Sequence, residues 1–459
     1  MRKGSITIYF ALIFTVLVSF VLSVFEGIKV NAMRLKAECV YTAAQNSVLS
    51  EYHIGLLEMF DLFYIDTSYE SGGPDYHNVE ARLWEYVEKN YKDAPASVEI
   101  CQITMATDNH GVPYRKQISD YMKDKIGLSY IDELTSLFET VSKEGFMQEN
   151  GDSNNVWNEK WQETLAERES IPEETWRVVE QHCPVNDVEN IRNSFVLNQV
   201  VKEESKISRK QVNLNNYVSN RNCVVGTGTN KELSFLDKIY FIGYVFEKFS
   251  CYPTKDVNNL FDYEIEYLIG GKDNDYENLS TIAKQLLLLR EAINVVYLMT
   301  DTEKMMLIDT VSSVLSWLVL SPEIAPIIKI AIVGLWSYME SVQDVKILFE
   351  GGCVPLIKSK SSWNTDLGSG LDIIFQTKEI SQNKEGMNYK QYLELLLLFA
   401  DNEEITYRSM DLIEMHIQKT DGNESFRFDG CAEDFLVNIV FDISMFGSYQ
   451  IVRKFGYFY

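Results

Sequence analysis

Residues 5–25, SITIYFALIFTVLVSFVLSVF, are apolar or hydroxylic at almost every position and carry no charge. As an α-helix rising about 1.5 Å per residue they extend about 31 Å, roughly the hydrocarbon thickness of a bilayer, so the pattern predicts a transmembrane anchor. From residue 29 the pattern changes. Leu35, Val40, Ala44, Val48, Tyr52, Leu56 and Phe60 recur at steps of four after an initial five, which predicts an amphipathic helix over 29–63. No proline falls between residues 5 and 73, so anchor and stalk are expected to form one continuous rod, ended by SGGPD at 71–75.

Beyond the stalk, helical and strand periodicities follow each other. A helix is predicted at 78–90, a strand at 98–107 closed by a DNHG turn at 108–111, and a polar helical stretch at 117–189 interrupted by an Asn/Asp/Gly-rich loop at 148–155. A polar, strand-poor passage over 190–230 leads to an aromatic helix at 233–249. FDYEIEYLIGG at 261–271 alternates apolar residues with acids and reads as the clearest strand, stopped by Gly270 and Gly271. A helix at 278–298 precedes a pair at 301–320 and 322–342. That pair is apolar enough to suggest a second membrane passage, but Asp309, Glu323 and Lys329 lie within it and Ser321-Pro322 splits it, so a buried helical hairpin is expected. Residues 364–387 read as a surface connection, 389–419 as a helix, and 424–459 as antiparallel strands that complete a sheet with the two earlier ones. The predicted fold class is α+β. Residues 1–28 are a cytoplasmic stub and transmembrane anchor, 29–70 a stalk helix, and 71–459 a mostly helical exported domain with a small, largely antiparallel sheet.

Charge orients this scheme. Arg2 and Lys3 stand directly before the apolar run, which favours a cytoplasmic N-terminus and an extracellular C-terminal body in a single-pass protein of the cell membrane. A cleaved signal peptide would have an apolar core of about 7–15 residues and a small-residue cleavage site. The core here is longer and no A-x-A follows it, so retention of the anchor is expected. The formal net charge of −25 argues against nucleic acid as a partner and suits a soluble exported body. The seven cysteines are spread singly, without CxxC or zinc-knuckle spacing, and free, buried thiols are the expectation.

Candidate chemistry is sparse. His53, His77, His110, His182 and His416 are isolated, HExxH, GxSxG and Walker patterns are missing, and GTG at 226–228 reads as a turn, so no metal and no cofactor is expected. Glu264 and Glu266 fall on one face of the predicted strand. Two carboxylates so placed can hold a cation or work as acid and base, although solvated strand-face acids are the commoner outcome. The other candidate is a row of small residues at steps of four along the anchor: Thr7, Ala11, Thr15, Ser19, Ser23 and Gly27. Such a row lets a second membrane helix approach closely.

Two resemblances add expectations of their own. KGSITIYFALIF at 3–14 is similar to the start of TadE/TadG-like proteins of tight-adherence pilus systems. For pilin-like members this implies cleavage after a glycine, here between Gly4 and Ser5, with Tyr9 standing where their glutamate would fall; TadG-like members keep an uncleaved anchor and a large exported domain. DNHGVPYRKQISDYMK (108–123), YEIEYLIGGKDNDYENL (263–279), REAINVVYL (290–298), SYMESVQDVKILFEGGCVPLIKS (337–359) and YKQYLELLLL (389–398) resemble an uncharacterised Gram-positive family, a domain of unknown function often encoded beside Tad-like pilus or secretion genes. Together the resemblances imply a non-enzymatic, envelope-anchored component or accessory of a Tad-like pilus or secretion assembly. Its partners would be membrane lipid and other envelope or pilus-assembly proteins, met through the anchor and the exported domain. The alternative is a membrane-tethered enzyme acting on cell-wall polymer through Glu264 and Glu266.

Overall fold

Anchor and stalk join in one helix, α1 (Lys3–Leu49), in the computed structural model of the chain, which describes residues 3–69, 73–90, 95–147, 159, 163, 166, 197–255, 258–318, 321–366, 385–444 and 448–457. The loop expected at 148–155, most of the connection at 364–387, His182 and Cys183 lie outside the described residues. The 47 residues of α1 are unbroken, but the rod stops at Leu49 rather than running on to Phe63. The His53 N–H donates to the Tyr64 carbonyl at 2.8 Å, which folds the chain back. Between them lies the short α2 (Ile54–Phe60), started by the His53 ring, whose Nδ1 accepts the Leu56 N–H at 3.2 Å. The expected apolar stripe crosses this turn: Val40, Ala44, Val48, Leu56 and Phe60 are buried, whereas Leu35 at its start is exposed.

The chain divides into two compact units, one of Met1–Gln117, Arg221–Glu232 and Ile413–Tyr459, the other of Ile118–Asn220 and Leu233–Leu412. The first is built on an antiparallel sheet of β1 (Ile65–Asp66), β2 (Pro95–Met105), β3 (Cys431–Ser444) and β4 (Ser448–Tyr457). β3 is central, paired with β2 along one edge and with β1 and then β4 along the other. Phe435, Val437, Ile439 and Phe441 are buried at a period of two, as one covered face of a strand requires. They join one core with Ala37, Tyr41, Ala44 and Val48 of α1 and with Val79, Leu83 and Val87 of α3 (Tyr76–Asn90). The sequence reading of β2 and of the C-terminal strands holds. FRF at 426–428 is an exception, leading into a 3-10 turn at Phe428–Gly430.

The second unit is helical. It includes α5 (Leu128–Lys143), α6 (Phe235–Lys248), α7 (Glu264–Gly270), α8 (Asp275–Thr300), α9 (Thr302–Leu318), α10 (Ala325–Phe349) and α11 (Tyr389–Phe399), while α4 (Asp108–Met122) and α12 (Asn402–Ile417) take residues from both units. The single helix expected at 389–419 is therefore two, because Asp401 starts a new one: its Oδ1 accepts the N–H groups of Glu403 and Glu404 at 2.9 and 3.0 Å. The α9–α10 hairpin matches the expectation in its buried half. Ile308, Ile324, Ile327, Ile328 and Val333 share a core with Val295 and Leu298, and Lys329 reaches Asp309 at 2.5 Å. The other face of α9 is not buried, and Met306, Val314 and Trp317 are exposed on it.

The strand expected at 261–271 is a correction. Glu264–Gly270 is α-helical, the Gly271 N–H closes it on the Tyr267 carbonyl at 2.8 Å, and Gly271 adopts the left-handed conformation (φ 62°) that ends helices and favours glycine. The alternation of acids with apolar residues misled because it does not divide inside from outside. Tyr263, Glu264, Ile265, Glu266, Tyr267 and Leu268 are all buried.

Candidate membrane and assembly interface

Every residue of α1 from Ile6 to Phe25 is exposed, so this apolar stretch has no protein neighbour covering it among the described residues. Two hydroxyls of the small-residue row are used inside the helix: Thr15 Oγ1 donates to the Ala11 carbonyl at 2.6 Å and Ser19 Oγ to the Thr15 carbonyl at 2.8 Å. A partner would therefore meet a shallow row of satisfied hydroxyls that still accept. At Gly27 an added Cβ would meet nothing within 4 Å, so the fold itself does not require glycine there. The helix also has a second relief. Tyr9, Leu12, Ile13, Val16, Leu17 and Phe20 line a shallow, open apolar depression on one face of the helix. Ile13 and Leu17 lie two residues to either side of Thr15 and so about 160° round the helix from it. The Gly4–Ser5 bond lies within the first helical turn of α1.

Glu264 and Glu266 are brought together, but as clamps on one segment of backbone. Glu264 Oε2 accepts from the Ser250 N–H at 2.8 Å and from its hydroxyl at 2.9 Å; Glu266 Oε1 accepts from the Tyr252 N–H and the Tyr389 hydroxyl, both at 2.9 Å. Burial pushes the Glu266 carboxyl up to about 7, against the donors, which favour its charged form. Burial and the neighbouring Glu266 push the Cys251 thiol up to about 12. Asp275 organises the same region by accepting from Ser208 Oγ at 2.5 Å and from the Asp262 and Tyr263 N–H groups at 3.0 and 3.3 Å. Both glutamates are at most 2% exposed, and the contacts above are to the protein's own chain, while Glu266 Oε2 is buried without a hydrogen-bond partner among the described residues.

GTG at 226–228 is irregular chain with a bend at Thr227, and it has a partner the sequence did not reveal. Asp108 accepts from the N–H groups of Gly226 at 2.8 Å, Gly228 at 3.1 Å and Met105 at 2.9 Å, so the amides that could cradle a phosphate already hold a carboxylate. A Cβ on Gly226 would stand 2.4 Å from Asp108 Oδ2 and 2.6 Å from the Ile103 carbonyl, which is why glycine is needed. Asn109, His110 and Gly111 next to it form the expected DNHG turn in left-handed backbone, with φ of 49°, 60° and 79°. Six cysteines are free as expected, Cys39, Cys101, Cys223, Cys251, Cys353 and Cys431, but only Cys431 is buried.

The sequence reading missed a buried ionic network. Arg290 Nε donates to Asp344 Oδ2 at 3.0 Å and its Nη1 to the Pro355 and Leu356 carbonyls at 3.1 and 2.8 Å. Lys358 Nζ reaches Glu340 Oε1 and Asp344 Oδ1, both at 2.6 Å, and all four charged side chains are enclosed. A signal was present: Arg290, Glu340 and Asp344 interrupt two strongly apolar helices, where a charge needs a partner.

A model of a family of unknown function, DUF5702, matches residues 174–443. Neither a curated protein nor a solved structure matches the chain.

Proposed function

We propose, from the premise that this chain belongs to the DUF5702 family of unknown function, that it is a single-pass membrane protein serving as a non-enzymatic component or accessory of a Tad-like pilus or secretion assembly. In this reading residues 5–25 cross the bilayer with the N-terminus cytoplasmic, and the two compact units lie outside. The carrying observation is α1 itself. Residues 6–25 are exposed, uncharged and long enough to span, and the later turns of the same helix are built into the core of the sheet unit without a break between them. That continuity supports a retained anchor, because a helix whose later turns pack against β3 has no extended segment at Glu26 and Gly27 for a signal peptidase.

The assembly role rests on the exposed relief of α1 and on the likeness of residues 3–14 to TadE/TadG-like anchors. The non-enzymatic reading draws support from Glu264 and Glu266, which hold Ser250 and Tyr252. A reporter fused after Tyr459 tests the topology: activity only in the exported state is expected, and a cytoplasmically active reporter would reverse the model. Cross-linking between membrane segments in intact cells, followed by identification of the captured chain, tests the assembly role.

A further inference from the structure

We propose, resting on the reading of α1 as a bilayer anchor, that the outer face of α9 is a second and peripheral lipid contact. Met306, Val314 and Trp317 are exposed at 66%, 55% and 69%, and with Thr310 they follow the spacing of one helix face. Residues 310–317, TVSSVLSW, carry no charge in a chain that is 24% charged, and Asp309 just before them is held by Lys329. The hydroxyls among these residues are turned inward: Thr310 Oγ1 donates to the Met306 carbonyl at 2.8 Å and Ser313 Oγ to the Asp309 carbonyl at 2.7 Å. α1 has the same arrangement at Thr15 and Ser19. Donors satisfied within the helix enter an apolar phase without leaving an orphaned hydrogen.

Three observations favour lipid as the occupant. An exposed tryptophan pairs an apolar ring with a single N–H donor, a combination suited to the headgroup boundary. The net charge of −25 opposes close approach of a second copy, whereas a charge-free face meets no such opposition from neutral lipid. A chain already anchored in the bilayer holds lipid at high effective concentration, so a patch too small to bind alone suffices as a second contact. Asp309 and the exposed Glu323 keep this contact in the interface, with α9 lying against the bilayer rather than crossing it.

The anchor contains no tryptophan, which makes Trp317 a usable reporter among the seven in the chain. Full-length protein would be reconstituted into phosphatidylcholine vesicles with and without brominated acyl chains, and its co-flotation with the vesicles measured alongside tryptophan quenching. Bromine quenching that disappears in Trp317→Phe, and that falls sharply in Met306→Asp/Val314→Asp with unchanged circular dichroism, is the expected result. Quenching that is absent, or unaffected by Trp317→Phe, in protein that floats overturns the lipid contact and leaves the anchor reading standing. Failure to float overturns the anchor reading and this inference with it. Absent quenching with copy-to-copy photo-cross-linking from position 314 assigns the face to a second copy instead.

Discussion

α1 and the helix that begins at Pro322 and continues through α10 are both long and apolar enough to cross a membrane, yet their surroundings are opposite. The apolar run of α1 is exposed throughout and has no charge; most of the second helix is buried, and it carries Lys329, Glu340 and Asp344, each held by a partner of opposite sign. Mean hydropathy is higher along α1, at 2.6 against 1.3, but length and composition admit both helices. Paired charges separate them, because a buried ion is tolerated only where the protein supplies its counter-ion, and lipid supplies none.

The comparison breaks most visibly if charge is added where it is missing. Ile13→Arg with Leu17→Arg should raise the cost of insertion by about 6–8 kcal/mol and move the protein from the carbonate-resistant to the carbonate-soluble membrane fraction. Retention in the membrane would show that something other than lipid surrounds that face. The converse change removes a partner from α10. Asp344→Ala leaves the Arg290 and Lys358 charges buried with Glu340 as their nearest acid, and should cost roughly 3–5 kcal/mol in a urea unfolding titration.

Glu266 sharpens the point, since it is a buried acid held by an N–H and a hydroxyl in place of a cation. Its folded pKa of about 7 lies above the ordinary glutamate value of 4.5, so the native state binds the proton more tightly than the unfolded chain. Stability from this group is complete below about pH 4.5, declines as pH rises towards 7, and is flat above, a loss on the order of 3 kcal/mol. Glu266→Gln should abolish that decline, read as the pH dependence of the difference in unfolding free energy between the two proteins. The smallest effect concerns the row on α1: Ala11→Leu/Thr15→Leu/Ser19→Leu should preserve insertion while weakening helix association by about 1–2 kcal/mol, seen as reduced cross-linking. Filling the depression through Ile13→Phe, on the far side, separates the two reliefs; if only that change lowers cross-linking, the depression is the packing surface.

What the sequence made legible follows the same logic. The hairpin was readable because Asp309, Glu323, Lys329 and Pro322 sit inside an apolar run, and β3 because its apolar residues alternate across a sheet with one face in the core. The end of α1 was less so, since the turn at 50–53 depends on the His53–Tyr64 contact and on no local breaker. α7 was misread because a period of two in residue type coincided with burial on every side, and its glutamates meet backbone 14 residues earlier, a pairing only the folded chain creates. The split between α11 and α12 did have a local signal in Asp401 and Glu404, the start of a helix embedded in what reads as the middle of one. The Asp108 contact with Gly226 and Gly228 spans nearly 120 residues and had none.

The unbroken course of α1 has a mechanical meaning. At about 1.5 Å per residue its 47 residues make a beam about 70 Å long, clamped at one end by β3 and α3 and free of any hinge along its length. A beam of this kind transmits torque as well as tension. Rotating or tilting the apolar end by engagement with a neighbouring helix would turn the Ala37, Tyr41, Ala44 and Val48 face against the sheet, so that load applied within a bilayer is felt as strain in the packing of β3.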